Sequence, residues 1–334
     1  MKKTYLVTGG LGFIGSALVR RLIEEGHNVR VLDNLSRGQR SNLQDFKKNI
    51  RFIHGDMRDA KTVAAACQNI DSIFHLAFIN GTKFFYTMPE VVLEVGVKGM
   101  VNILDAGIKN RVKEFFLASS SEVYQTPPTW PTDEKVALVI PDPLNPRYSY
   151  AAGKIVSEIM ALHYGHKYFD RMVIFRPHNV YGPQMGWEHV IPQLSLRMRE
   201  ICHHTKAATI RFPIQGTGEE TRAFVYIEDF IDGLIILKNR GQHLNIYHIG
   251  TQEEKTTQVL AKEIGKYFGK RVKVLPGNPA PGGTLRRCPD ISKMKALGYR
   301  PRYSLREGLS VTVKWYDEHA SEAPATALEE LKTY

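Results

Sequence analysis

The stretch Tyr5-Leu6-Val7-Thr8-Gly9-Gly10-Leu11-Gly12-Phe13-Ile14-Gly15 joins a short apolar run to three glycines that recur at every third position. The apolar run predicts a buried strand, and residues 14–25 predict a helix that stops at Gly26. Glycines in such a strand–turn–helix unit permit a tight turn and let the backbone approach a pyrophosphate closely. The stretch therefore predicts a dinucleotide site at Gly9, Gly12, Phe13, Ile14 and Gly15.

The end of the second predicted strand adds a discriminating carboxylate. Residues 29–32 read as this strand, and Asp33 follows it directly. A carboxylate at this place accepts hydrogen bonds from an adenosine ribose and repels a 2′-phosphate, which favours NAD over NADP. Arg37 lies close enough in sequence to meet such a phosphate instead.

A pair of polar residues further along the chain predicts chemistry on the bound dinucleotide. Tyr150 and Lys154 are four residues apart in a helical pattern, so both side chains lie on one face. A neighbouring ammonium favours the phenolate, and we therefore expect a lowered Tyr150 pKa that suits a general base. Lys154 is also expected to contact the cofactor.

The alternation of apolar runs and helical patterns predicts an α/β fold, a Rossmann-type doubly wound parallel sheet with a smaller, mixed α/β substrate lobe. Further strands are expected at 51–53, 72–76, 115–118 and 173–176, and helices at 60–67, 91–109 and 256–268. The proline-rich segment 126–147 reads as a loop over a site. We assign 1–176, with 224–250, to the NAD domain, 177–223 and 251–318 to the substrate lobe, and 319–334 to a fraying helical tail.

Composition narrows the class of protein. The 334 residues carry a net charge of +11, with Lys and Arg dispersed rather than grouped in a basic block. Dispersed charge speaks against nucleic acid and is better explained by an anionic small substrate. The three scattered cysteines suit a reducing cytoplasm, and neither a signal segment nor a membrane-length apolar run is expected.

Several motifs together resemble the extended short-chain dehydrogenase/reductases, specifically the nucleotide-sugar epimerase/dehydratase family. The similarity runs from residue 4 to about residue 310 and rests on Thr8–Gly15, Asp33-Asn34, Gly55-Asp56-Met57-Arg58-Asp59, His75-Leu76-Ala77, Ser119-Ser120-Ser121-Glu122-Val123-Tyr124, Tyr150 with Lys154, Arg176–Pro183 and Arg222–Asp229.

The resemblance implies roles for individual residues. Asp33 and Asn34 would face the adenosine, Asp56 and Met57 would flank the adenine, and Leu76 and Ala77 would line the NAD pocket. Ser120 would bond the reacting sugar hydroxyl beside Tyr150, and Ser121 would lie against the substrate. Asn179, Arg222 and Arg287 would hold the nucleoside diphosphate, for which guanidinium groups are well suited.

Glu122 is the residue that separates the possible reactions. In the resembling family, 4-epimerases usually carry a small or neutral residue there, whereas dehydratases and UDP-glucuronate decarboxylases carry Glu. Dehydratases place Asp before this Glu, but here the residue is Ser121, as in the decarboxylases. Gln184 stands where the decarboxylases tend to have Arg. Glu122 could be a base or could only organise hydrogen bonds.

Other departures from the family pattern lie near the expected pockets. Gly96 stands where Asn is common, and Gln125 replaces a usual Gly. The histidines lack partners at ligand spacing, so no metal site is expected. The family pairs two helices, here 91–109 and 155–168, in a dimer interface, which implies a homodimer.

The sequence thus predicts an NAD-dependent nucleotide-sugar epimerase/dehydratase that works through a transient 4-keto sugar and recycles its NAD. Tyr150, Lys154, Ser120 and Glu122 are the expected catalytic residues. A UDP-glucuronate decarboxylase-like enzyme is the alternative. A reductase that releases its cofactor and a noncatalytic NAD-binding regulator are weaker alternatives.

Overall fold

A seven-stranded parallel sheet forms the centre of the molecule. The computed structural model describes residues 1–278, 283–325 and 327. In the order β11-β6-β5-β4-β1-β2-β3, the strands are Asn245–Ile249, Arg171–Pro177, Glu114–Ala118, Ser72–His75, Thr4–Thr8, Asn28–Asp33 and Ile50–His54. The sheet reverses its winding between β1 and β4, where a ligand crevice opens in this type of fold. The predicted fold class is confirmed.

Helices cover both faces of the sheet and enclose two apolar cores. One face is packed by α1 (Phe13–Glu24) and α8 (Ile227–Arg240), and the other by α2 (Ala60–Ala66), α5 (Gly99–Lys109) and α6 (Ser149–Tyr168). Both faces are buried, as the apolar strands require. Among the described residues, none of the helices combines the length and the apolar character needed to cross a membrane.

The smaller lobe is built from short strands and three longer helices. Its strands pair as β10-β7, β12-β9-β14 and β13-β8. These strands are β7 (Val180–Tyr181), β8 (Thr209–Pro213), β9 (Thr221–Ala223), β10 (Val225–Tyr226), β12 (Glu254–Thr256), β13 (Arg271–Leu275) and β14 (Arg286–Arg287). The helices are α7 (Val190–His204), α9 (Thr257–Tyr267) and α11 (Leu305–Glu318), with the short α10 (Ser292–Ala296).

The predicted helix 91–109 is interrupted. It is observed as α4 (Pro89–Leu93), a π-helical turn (Glu94–Lys98) and α5, preceded by the short α3 (Thr82–Thr87). Single π-turns inside helices are frequent at functional sites. This turn contains Gly96, which packs against the ring of Phe78.

Most other sequence-based predictions of local structure hold. The segment 126–147 is irregular except for an isolated β-bridge from Thr132 to Pro289 and a 3-10 turn that begins at Pro146. Within the predicted loop at 276–283, residues 279–282 lie outside the described residues. Of the predicted tail, residues 320–322 form a 3-10 turn, while residues 326 and 328–334 lie outside the described part.

Candidate active site

A single elongated cleft runs along the carboxyl ends of β1 and β4 and contains nearly all of the candidate residues. Its volume is about 660 Å³. The lining includes Gly9, Gly12, Phe13, Ile14, Gly15, Asp33, Asn34, Asp56, Met57, Leu76, Ala77, Ser120, Ser121, Glu122, Tyr150, Lys154, Asn179 and Arg287. Candidate residues that are up to 278 positions apart in sequence, from Gly9 to Arg287, therefore share one crevice.

The glycine turn forms the floor of one half of the cleft, and its geometry excludes side chains. Gly9 adopts φ 68°, in the left-handed region that favours glycine. A Cβ on Gly15 would lie 2.1 Å from the carbonyl oxygen of Gly9, which no side chain can tolerate. Helix α1 begins directly after this turn, so its free N–H groups face the cleft.

Three polar residues line the same half of the cleft. Asp33 is buried, and its carboxylate accepts hydrogen bonds from the backbone N–H groups of Leu11 (3.0 Å) and Leu35 (2.8 Å). Asp56 accepts hydrogen bonds from the guanidinium of Arg58 and the amide of Asn34. Led by the Arg58 hydrogen bonds, these contacts lower the pKa of Asp56 to about 2.

Arg37, the residue that could have met a 2′-phosphate, has other partners. Its guanidinium forms a two-pronged ion pair with Glu188, with both N···O distances 3.2 Å. The same group lies 4.7 Å from the ring centroid of Phe84. Arg37 thus bridges the loop after β2 to the segment after β7, and its charge is neutralised where it stands.

The predicted Tyr/Lys pair stands at the other half of the cleft, on helix α6. Tyr150 is bracketed by two rings, with Phe85 stacked on it and Phe78 edge-on, each at a centroid distance of 5.0 Å. The Lys154 ammonium donates a hydrogen bond to the carbonyl oxygen of Ala118 (2.6 Å). Ser120 follows the carboxyl end of β5 and hydrogen-bonds the Tyr150 phenol. The three candidate catalytic groups are therefore adjacent.

The expected lowering of the Tyr150 pKa is not found in this structure. Burial raises the pKa of Tyr150, the Ser120 hydrogen bond opposes that rise, and the charge of Glu122 adds to it. Burial also lowers the pKa of Lys154 to about 7, against the opposing charge of Glu158. Attraction between the two groups favours both charges, but the removal of both groups from water has the larger effect on their pKa values.

Glu122 is held by an ion pair that the sequence did not reveal. Arg287 is buried and donates to the Glu122 carboxylate at 2.6 Å, although 165 residues separate them. Burial acts to raise the pKa of Glu122, but the charges of Arg287, Arg147 and Arg222 outweigh it, so the net pKa is lowered. Glu122 is therefore a carboxylate surrounded by an excess of positive charge.

Arg147 is a site residue that the sequence reasoning missed. It lines the cleft, and its Nε is a buried donor without a hydrogen-bond partner in the described structure. The Nε of Arg287 and the side-chain nitrogen of Asn179 are in the same condition. Buried donors are rarely left unpaired in folded proteins, so three of them at one cleft indicate a site built for an anion. The sequence signal that could have identified Arg147 is its position three residues before Tyr150.

Arg222 is the one candidate that is absent from the described lining. Strands β9 and β14 pair in parallel and place Arg222 in register with Arg287. The Arg222 guanidinium, however, donates to the backbone carbonyls of Thr221, Thr284 and Leu285. Burial, followed by the charge of Arg287, lowers its pKa to about 10. Its two terminal nitrogens bond the backbone, and its charge acts on Glu122 in the cleft.

The fold and cleft together define a dinucleotide-dependent enzyme of the Rossmann type. Residues 5–250 match the model of the NAD dependent epimerase/dehydratase family, and the chain belongs to that family. Its cofactor is NAD. The chain is an NAD-dependent nucleotide-sugar enzyme of the extended short-chain dehydrogenase/reductases.

Relatives with different reactions are similar to this chain over nearly its whole length. A UDP-N-acetyl-alpha-D-glucosaminuronate decarboxylase from Bacillus cytotoxicus is 30% identical, covering 95% of this chain and 99% of its own. A UDP-glucose 4-epimerase from Mycolicibacterium smegmatis is 31% identical, with coverages of 93% and 97%. The crystal structure of a dTDP-glucose 4,6-dehydratase from Streptomyces venezuelae, with NAD bound, superposes with a TM-score of 0.83 at 31% identity, with coverages of 96% and 98%.

Proposed function

We propose that this enzyme is a decarboxylase of a nucleoside-diphosphate uronate, a sugar with a carboxylate at C6. The observation that carries the proposal is the arginine-rich cluster of Arg147, Arg287 and Glu122 directly beside Tyr150 and Ser120. In this cluster the Nε groups of Arg147 and Arg287 have no hydrogen-bond partner in the described structure and could bind a carboxylate on the sugar. The alternative named from the sequence is thereby preferred over epimerisation and dehydration.

The cofactor half of the cleft suits NAD. Gly9, Gly12 and Gly15 leave room for a pyrophosphate at the start of α1, where Phe13 and Ile14 present free N–H groups. Asp33 and Asn34 face the adenosine ribose, and Asp56, Met57, Leu76 and Ala77 line the rest of the pocket. When bound, NAD supplies the hydride acceptor for the C4 carbon and returns the same hydride, so the reaction has no net redox change.

The chain's own residues carry the proton and charge transfers. Tyr150 takes the proton of the C4 hydroxyl, Ser120 orients that hydroxyl, and Lys154 stabilises the phenolate by its charge. The resulting 4-keto uronate is a β-keto acid, so the C5–C6 bond breaks and its electron pair passes to the C4 oxygen as an enolate. The enolate takes a proton from solvent water at C5, which replaces the carbon dioxide that has left, and Tyr150 returns its own proton to O4 as the ketone is reduced.

The anion-binding residues have separate parts in this scheme. Arg147 and Arg287 hold the C6 carboxylate through their free Nε donors, and Glu122 keeps Arg287 in position. Asn179 offers its unpaired amide to the diphosphate. Ser121 contacts the sugar. Arg222 adds positive charge next to Arg287 and Glu122. A uronate thus meets two guanidinium groups at the place where carbon dioxide must leave.

Dehydration is the second candidate, because Glu122 is a half-buried carboxylate near the Tyr150 site. Removal of the C5 proton would use Glu122 as the base. Its lowered pKa makes it a weak base, and Ser121 cannot serve as the acid for a leaving hydroxyl. Both facts favour decarboxylation.

Mass spectrometry of products separates these reactions. The purified enzyme with NAD would be incubated with UDP-glucuronate, UDP-N-acetylglucosaminuronate, UDP-glucose and dTDP-glucose. We expect the uronates to lose the mass of carbon dioxide and the neutral sugars to stay unchanged. Loss of water from dTDP-glucose, or an isomer of UDP-glucose, with both uronates inert would overturn the proposal.

We also propose a cytoplasmic homodimer. Exposed apolar side chains line the outer surface of the neighbouring helices α4 and α6, namely Leu93 (37% exposed), Val156 (39%) and Ile159 (50%). Association would cover this surface. Light scattering should give twice the chain mass, and Ile159→Lys should give a monomer. A wild-type monomer at micromolar concentration would contradict the dimer.

The cytoplasmic location is supported by the three cysteines, which form no disulfide and therefore suit a reducing compartment.

A further inference from the structure

The ring of Phe78 lies between the two residues that define the chemistry of the cleft. Its centroid is 4.0 Å from the Lys154 ammonium nitrogen and 5.0 Å from the Tyr150 ring centroid. Phe78 follows β4 and lines the cleft itself. None of the motifs found in the sequence drew attention to this residue.

We propose that Phe78 is a positioning residue that keeps the Lys154 ammonium charged and in place through a cation–π contact. The nitrogen has one carbonyl partner, Ala118, in the described structure. The negatively polarised face of an aromatic ring attracts a cation most strongly where water is excluded. Lys154 is buried, so the ring replaces part of its lost hydration.

Two glycines give Phe78 its place. A Cβ on Gly96 would lie 2.4 Å from the ring carbon Cζ, and a Cβ on Gly153 would lie 3.0 Å from the same carbon. Gly96 belongs to the π-helical turn and Gly153 to α6, one residue before Lys154. The ring therefore occupies the space beside position 96, where the resembling family commonly carries Asn. The ring of Phe78 therefore gives a physical reason for glycine at position 96, because a larger side chain there would clash with it.

Other charged and titratable groups face Lys154 and must be separated from the effect of Phe78. Glu158, one turn further along α6, favours the ammonium by its negative charge. His75 on β4 is buried with a lowered pKa, so it is neutral near pH 7. Tyr150 lies on the helical turn before Lys154, and its ring centroid is 5.7 Å from the nitrogen. Substitution of Phe78 leaves all three groups in place.

The functional consequence follows from the pKa of Lys154, about 7. A pKa close to neutral makes the charge of this group sensitive to small changes around it. Loss of an attractive ring favours the neutral amine, so the pKa should fall by about one unit. At neutral pH a smaller fraction of Lys154 would then carry its charge. The Tyr150 phenolate would lose its stabilising charge at the pH where the enzyme works.

Direct titration of Lys154 tests the proposal independently of any substrate. The ε-carbon of lysine would be ¹³C-labelled, and its shift followed against pH in the NAD-saturated enzyme, with Lys154→Arg to identify the resonance. Phe78→Leu should lower the Lys154 pKa by about one unit. 3,5-Difluorophenylalanine at position 78 keeps the shape but weakens the ring's negative face, and should give a smaller drop. An unchanged pKa in both proteins would overturn the proposal.

Two further variants distinguish charge stabilisation from simple filling of space. Phe85→Leu removes the ring that stacks on the far side of Tyr150 rather than on Lys154, and should leave the Lys154 pKa unchanged. Gly96→Ala displaces the Phe78 ring and should lower the pKa as Phe78→Leu does. In the Phe78→Leu background, Gly96→Ala should add little, because the clashing Cζ is absent. Equal drops from Phe85→Leu and Phe78→Leu would mean that general packing, not the cation–π contact, is responsible.

Discussion

The two halves of the cleft are constructed in different ways. The cofactor half rests on a continuous turn, in which Gly9 to Gly15 shape the backbone and the start of α1. The substrate half is assembled from side chains far apart in sequence, with Arg287 on β14 reaching Glu122 after β5. The cofactor half depends on glycines, which leave room for the cofactor because they lack side chains. The substrate half depends on the charges of its side chains. Substitutions should therefore impair cofactor binding in one half and substrate handling in the other.

The largest effect is expected where the two halves meet. Tyr150→Phe removes the group that exchanges the proton of the C4 hydroxyl and should lower kcat by about 10²- to 10⁴-fold. NAD binding, measured by isothermal titration calorimetry, should be nearly unchanged. Tyr148→Phe, two residues away, is the control and should keep activity. Full activity of Tyr150→Phe would refute the assigned role.

The cofactor half can be broken by adding a single methyl group. Gly15→Ala places a Cβ 2.1 Å from the Gly9 carbonyl oxygen and forces the turn apart. We expect NAD affinity to fall by about 10- to 100-fold, the scale of an overpacked site. Gly12→Ala, whose Cβ would lie 3.3 Å from the same oxygen, should cost much less. Equal losses in the two variants would show that the close contact at Gly15 is not decisive.

The substrate half should respond to Arg147 without a change in NAD affinity. Arg147→Met removes a buried donor to the proposed uronate carboxylate and should raise KM by about 10-fold or more. Arg286→Met is a matched control, because this exposed arginine pairs with Glu254 outside the cleft lining. If the KM of Arg147→Met for a uronate is unchanged, Arg147 does not contact the substrate.

The smallest expected effect concerns stability in acid. The lowered pKa of Asp56 means that its bonds stabilise the fold above the ordinary Asp pKa of about 4, and that this stabilisation is lost as pH falls toward about 2. Asp56→Asn should reduce the free energy of unfolding near pH 7 by about 1 kcal/mol or less, since the ion pair is partly exposed. Urea unfolding should show the two proteins converging in acid. A gap that grows in acid would contradict this reasoning.

The contrast between the halves also explains how far sequence reasoning reached. The glycine turn, the strands around it and the Tyr150/Lys154 spacing are local features, because neighbouring residues determine backbone geometry and helix faces. The part of Arg222 in holding the diphosphate stays a prediction, and the sequence did not reveal that its guanidinium bonds the backbone carbonyls of Thr221 and Thr284, because those contacts depend on how β9 packs. The pKa of Tyr150 was misjudged because burial is a property of the whole fold.

The sequence by itself determined the fold class, the dinucleotide site and the family of chemistry, since each depends on short segments of chain. Only the tertiary structure joined Arg287 to Glu122, left Arg147 with an unpaired donor and seated Phe78 over Lys154. Those relations arise from packing and electrostatics between segments that are distant in the chain. Desolvation in that packed interior dominates the pKa of Tyr150 and of Lys154, whereas neighbouring positive charge dominates that of Glu122, and neither effect can be read from one short segment.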